Sequence, residues 1–267
     1  MAKGEKSRNR YEAIIEKIFK NHYTTGAKFF SFDRQEIETV AKQLKVELPK
    51  NQGDLIYTFL YRTQLPDTVR NTTPVGYEWI IEPAGRAKYS FKQVKINRIV
   101  PRSELITIKV PDATPEIVAG YAQGDEQALL AKVRYNRLVD IFLGLTTYSL
   151  QNHLRTTVKK IGQIEIDELY VGLDRNGNHY VIPVQAKGGK DKLSVVQTLQ
   201  DIACCNEKFP SLICRALSAQ FMDDDRIAMF ELTVQDYEVR IVDEKHYKLL
   251  PSSEISAEDL ESYRVRS

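Results

Sequence analysis

The chain has 267 residues, 42% hydrophobic and 28% charged, which is apolar material for one domain of average size plus a smaller one and too much for a disordered chain. No apolar run approaches the roughly 20 residues that cross a bilayer, and the start MAKGEKSRNR lacks the apolar stretch of a leader, so a cytoplasmic protein with no membrane partner is expected. The formal net charge is only +2, but residues 1–110 sum to +8 and the remainder to −6, which suggests a basic module for a polyanion joined to a part with other duties.

Tyr11, Ile14, Ile15, Ile18 and Phe19 recur at helical spacing and predict a first helix. Asp33 followed three residues later by Glu36 has the form of a capping box, and Ile37, Val40, Ala41 and Leu44 continue a second helix ending near Lys45. After the turn ELPKNQGD, Leu55, Ile56, Phe59 and Leu60 give a short third helix. The period then changes to two: Tyr77, Trp79 and Ile81 alternate, the chain turns at Pro83-Ala84-Gly85, and Tyr89 and Phe91 alternate on the return.

Three helices followed by a basic hairpin is the order of a winged helix-turn-helix. Such a module puts its last helix in a DNA groove, where Asn51, Gln52 and Arg62 would meet base edges while Arg86 and Lys88 reach phosphates. An α+β interaction domain with a solvated basic surface is the plainer account of the same pattern. A strand at Ile106–Val110 and a short helix opened by Thr114-Pro115 form a connector, which places a recognition domain at 1–105 and a second domain at 106–267.

In the second domain DEQALLAKVRYNRLVDIFLG predicts a helix stopped by Gly144. Leu150, Leu154 and Val158 in TTYSLQNHLRTTVKK predict another, with Gln151, His153 and Arg155 on a polar face able to line a DNA channel. IEIDELYVGLDRNGNHYVIPVQAK (164–187) reads as two strands joined at Asn176-Gly177, and a helix and three further strands follow. The order makes an α/β sheet covered by helices. Cys204, Cys205 and Cys214 have no CxxC spacing and are expected to be reduced, the four histidines have no zinc spacing, and Asp223–Asp225 read as a solvated turn. Neither GxxxxGK[ST] nor GxGxxG occurs, so no nucleotide cofactor is expected.

The 164–187 hairpin carries Glu165, Asp167, Glu168, Gln185 and Lys187 among apolar positions whose flanks, LYVGL and YVIPV, look buried. A three-residue turn puts Asp167 across from Gln185 and Glu165 from Lys187, all on one face; a two-residue turn brings Glu168 beside Gln185 instead, and the sequence does not choose. Apolar parity changes between Ile164/Ile166 and Leu169/Val171/Leu173, which suggests a bulge at Asp167-Glu168. The carboxylate of Asp167, the side-chain oxygen of Gln185 and the Ala186 carbonyl are hard oxygen ligands suited to Mg²⁺. Lys187 would orient or help deprotonate a water attacking phosphorus, or stabilise charge on the phosphate.

IEID on one strand and VQAK on the next resemble the PD-(D/E)XK nuclease fold, whose motif is an acid on one strand and an acid-x-Lys on the following one. Gln185 departs from that pattern and resembles the Q-x-K variant of some restriction endonucleases, one negative charge short. By resemblance Asp167, Gln185 and Lys187 take the three motif positions, Glu165 and Glu168 are accessory acids without a firm place, and Lys190 and Lys192 of the basic loop KGGKDK fall beside bound DNA. The resemblance covers about residues 125–235, and with a winged-helix module in front it implies a Mg²⁺-dependent, sequence-specific type II restriction endonuclease acting on double-stranded DNA as a homodimer. Two other readings compete: a DNA-binding regulator whose nuclease-like core serves only for dimerisation, and a repair nuclease that recognises structure rather than sequence.

Overall fold

The structure, a computed structural model, describes residues 3–48, 53–95, 99–121, 126–159, 161–188, 195–235 and 238–264, with 3–9, 61 and 62 described by backbone alone. Its contacts divide the chain into two compact units, residues 1–97 with 157–164, and residues 98–156 with 165–267. No helix among the described residues is long and apolar enough to cross a membrane.

The first unit runs α1 (Lys3–His22), β1 (Phe29–Asp33), α2 (Arg34–Gln43), α3 (Gly53–Tyr57) continuing into a π-helical turn Thr58–Arg62, α4 (Asp67–Arg70), β2 (Tyr77–Pro83) and β3 (Lys88–Lys95). The apolar stripe of α1 is buried as its spacing requires, Ile14, Ile15, Ile18 and Phe19 all lying in the core with Ile37, Leu55, Trp79 and Phe91. Phe19 meets Trp79 and Phe91 edge-to-face at 5.2 and 5.1 Å. Asp33 does cap α2, its backbone N–H donating to Glu36 Oε1 at 2.9 Å. The sequence reading missed β1, because FFSFD is short and runs straight into that cap. It pairs antiparallel with β3, from Phe29↔Lys92 to Asp33↔Lys88, giving the sheet order β1-β3-β2.

The second unit contains β4 (Thr107–Pro111), α5 (Glu116–Tyr121), α6 (Glu126–Tyr135), α7 (Leu138–Leu143), most of β5 (Thr146–Val158) and β6 (Gly162–Leu173), β7 (His179–Lys187), α8 (Val195–Lys208), β8 (Ile213–Cys214), β9 (Ala216–Phe221), β10 (Arg226–Gln235), β11 (Glu238–Leu250) and α9 (Ala257–Arg264). The strands form one mixed sheet in the order β4-β11-β10-β9-β7-β6-β5, with β8 beside β7. β7 and β9 are parallel and α8 is the crossover between them. The pleat then sorts side chains to two faces. Ile227 and Met229 of β10 join Ile182, Val184 and Ala186 of β7 against α6 and α7, while Ala228 and Phe230 pack with Val195 and Leu199 of α8.

Two expectations are corrected. TTYSLQNHLRTTVKK is not a helix: residues 146–158 form the edge strand β5, and Leu150 of the supposed apolar stripe is 51% exposed. Leu150, Leu154 and Val158 do sit four apart, but threonines at 146, 147, 156 and 157 favour extended backbone, and pairing with β6 decides it. The single helix ending at Gly144 is two, because Arg137 adopts a left-handed conformation between them; Gly144, with φ +66°, does end the second.

Gly172 on β6 has no room for a side chain. A Cβ there would lie 3.0 Å from Thr147 Cγ2 and 3.1 Å from the Thr146 carbonyl oxygen of β5. Gly172→Ala should cost about 1–3 kcal/mol, read as a lower urea midpoint with an unchanged slope.

Candidate active site

The hairpin register follows from its turn. Asp174 Oδ1 accepts the backbone N–H groups of Asn176 and Asn178 at 2.8 and 2.9 Å, Asp174 N donates to the Asn178 carbonyl at 3.2 Å, and Gly177 supplies the positive φ, +82°. The turn has three residues, and pairing runs without a shift from Leu173↔His179 to Glu168↔Val184. The bulge or bend expected at Asp167-Glu168 falls where this ladder ends, and within the ladder there is no shift.

Parity of apolar residues was misleading because the buried side of β6 continues through polar ones. Ile164, Ile166, Glu168 and Tyr170 are all buried at even positions. Glu168, fully buried, takes Arg134 Nε of α6 at 2.7 Å and Ser149 Oγ of β5 at 2.7 Å. It lies on the α6/α7 side, so this candidate acid is turned away from Asp167.

On the other face the ladder stops after Glu168↔Val184, and a side chain replaces the next backbone partner: Ala186 N donates to Asp167 Oδ2 at 3.0 Å. A strand residue directs its N–H and C=O to the same edge, so the Ala186 carbonyl faces that opening too. Gln185, 3% exposed, donates Nε2 to Asp201 Oδ2 of α8 at 2.7 Å, which leaves Oε1 as its coordinating atom. Lys187 follows on the same face, 3.4 Å from Glu126 Oε1 at the start of α6, with its side chain 13% exposed. The structure thus brings Asp167, Gln185, Ala186 and Lys187 together at one point.

It adds two acids that sequence reasoning missed, Asp201 and Glu126. Asp201 had a signal: it sits in the buried stripe of α8 with Val196, Cys204 and Cys205, where an acid is out of place. Glu126 had none, because nothing local links the start of a helix to a strand some 60 residues away.

Burial governs the electrostatics. It pushes the Asp167 carboxyl up, against the Ala186 N–H and the Lys187 charge, which favour the anion. Asp201, 2% exposed, is driven well above the ordinary carboxylate range by burial, and among the described residues its Oδ1 has no hydrogen-bond partner. A half-buried and a buried carboxyl group near one lysine form a site where a hard cation would stabilise the ionised acids. Asp167, Gln185 Oε1 and the Ala186 carbonyl are of the donor type that suits Mg²⁺, with Asp201 behind; among the described residues no group of three His, Cys, Asp or Glu side chains is placed to hold a metal ion.

Glu165 shares the face of Asp167 but is occupied, by His153 Nδ1 at 3.3 Å and Arg155 Nε at 3.1 Å. His153, Arg155 and the exposed Gln151 are on β5 rather than on a helix. Arg86 and Lys88 are exposed at the β2–β3 turn. Asn51, Gln52, Lys190 and Lys192 lie outside the described residues, as does the side chain of Arg62. The three cysteines are free. Compared with protein-family models, curated proteins and solved structures, the chain gives no significant match.

Two outcomes follow from the buried charges. Arg134→Ala strands the Glu168 carboxylate and should cost about 3–5 kcal/mol by chemical denaturation. Because the Asp201 carboxyl is raised in the folded state, its contribution to stability is present below the ordinary carboxylate pKa and lost as pH rises through the raised value. Asp201→Asn removes that loss, so the melting temperature of the variant in metal-free buffer should exceed that of wild type by a few degrees at pH 8 and by less at pH 5.

Proposed function

We propose that the chain is a Mg²⁺-dependent endonuclease that cuts double-stranded DNA at a specific sequence, on a PD-(D/E)XK-like core. The observation that carries the reading is the meeting of Asp167, Gln185 and Lys187 where the β6–β7 ladder ends, with Asp201 hydrogen-bonded to Gln185. Asp201 bears on the missing acid. The Q-x-K pattern lacks one negative charge, and a second carboxyl group 2.7 Å from Gln185 would supply it from the neighbouring helix when a bound cation holds it ionised, which weighs against a core kept only for dimerisation.

When bound, Mg²⁺ would bring positive charge to the scissile phosphate and acidify a water. The chain's own groups do the rest. Asp167 and Gln185 would hold the ion through oxygen, and Asp201 accepts from the Gln185 amide nitrogen, which fixes the amide and leaves its oxygen as the atom for the ion. Lys187 is steered by Glu126 and the two aspartates to a position where it orients the attacking water and stabilises charge on phosphorus.

The first unit supports DNA recognition. Its order of helix, strand, three helices, two strands, with the first strand paired to the third, is compatible with a winged helix carrying one extra short helix, and the β2–β3 turn carries exposed Arg86 and Lys88. Cutting both strands of a symmetric sequence would call for a twofold pair of subunits.

Wild-type protein incubated with a long duplex should give discrete fragments with Mg²⁺ and none with EDTA; intact but retarded DNA would favour the regulator. Lys187→Ala and Asp167→Ala should each lower cleavage by about 10³-fold or more while changing duplex affinity, measured by anisotropy in Ca²⁺, only a few-fold. Full activity in either variant would remove this hairpin from the mechanism.

A further inference from the structure

The irregular part of the sheet lies in β5, beside the site. Ser149 and Asn152, three residues apart, point to the same side: Ser149 Oγ donates to Glu168 Oε1, and Asn152 Oδ1 accepts from Arg134 Nη2 at 3.2 Å. His153 and Arg155 meet Glu165 on the opposite face. A regular strand keeps like parity on one face, so the alternation slips before His153, whose φ is +48°. Left-handed backbone is uncommon in non-glycine residues, strained positions of this kind cluster at functional sites, and strand irregularities re-aim side chains beside them.

The slip delivers the imidazole to the Asp167 face. Glu165 precedes Asp167 by two residues, so the two carboxyl groups project side by side, about 7 Å apart along the strand. Glu165 Oε1 takes His153 Nδ1, and among the described residues no hydrogen bond engages Nε2 on a ring that is 48% exposed. The charged groups near the ring are Glu165 and Asp167 on β6, with Arg155 of β5 sharing Glu165. A carboxylate on one nitrogen fixes which way the other points, the arrangement by which histidine is aimed for proton transfer.

Building on the endonuclease reading, we propose that His153 is the general acid of the reaction, oriented by Glu165. The water oxygen bonds to phosphorus, the bond to the leaving oxygen breaks, and its electron pair goes to that oxygen, which takes the proton from His153 Nε2. The proton lost by the water passes to solvent, from which His153 is recharged, so the sum is one water consumed per bond cut.

The test uses a leaving group that needs no proton. Once the wild-type cut position and the phosphate-bearing end are mapped on a long duplex, two synthetic duplexes are compared, one normal and one with sulfur in place of the leaving oxygen. His153→Asn is the variant, because asparagine tolerates left-handed backbone and cannot act as the acid. It should cut the oxygen linkage about 10²–10⁴-fold more slowly than wild type, with KM little changed, and the sulfur linkage within a few-fold of wild type. Equal slowing on both linkages, or none, would overturn the general-acid role and leave the endonuclease reading standing. A wild type that cuts no DNA would remove the reading and the role together.

Discussion

The hydrogen bond from Ala186 N to Asp167 Oδ2 is the constraint on which the rest of the site depends. Up to Glu168↔Val184 the two strands satisfy each other's backbone. One residue further a side chain does it, and the strands are released from strict pairing while the buried N–H keeps a partner. That single replacement brings the Asp167 carboxylate to the Ala186 backbone, next to the Gln185 amide. It also explains why the carboxylate tolerates its position: the N–H it accepts and the Lys187 charge both favour its ionised form against burial.

Charge is separated by the pleat. Adjacent acids Asp167 and Glu168 face opposite ways, and each face handles its acid differently. Glu168 is compensated by Arg134 and Ser149 through Oε1, which contributes to the packing of α6 on the sheet, while its Oε2 has no hydrogen-bond partner among the described residues. Asp167 and Asp201 share Lys187, and among the described residues Asp201 Oδ1 too has no partner. Two acids set against one lysine are the place where a cationic ligand would fit, because it would stabilise their ionised forms against burial. On the proposed reading that ligand is a divalent cation with a DNA phosphate.

Legibility differed sharply between elements. Amphipathic stripes in the first unit were readable because each buries one face against one core, and the Asp33/Glu36 cap was readable because it is local. β1 and β5 were not. FFSFD is too short to show a period, and TTYSLQNHLRTTV is an exposed edge strand whose leucines happen to sit four apart, so only pairing with a neighbour makes either one a strand.

The sequence by itself determined that Asp167, Gln185 and Lys187 belong to one hairpin, and their residue types already pointed to an oxygen-liganded cation and a phosphate. Tertiary structure alone decided the register, since two turn lengths were compatible with the same residues and Asp174 selects between them by capping Asn176 and Asn178. It alone decided the fate of the other acids. Glu165 is held by His153 and Arg155, Glu168 by Arg134, and Asp201 reaches the site from a helix. The physical reason is range: spacing along one chain encodes faces and turns, whereas which carboxylate finds a cation and which is left facing another depends on elements brought together only when the sheet is covered.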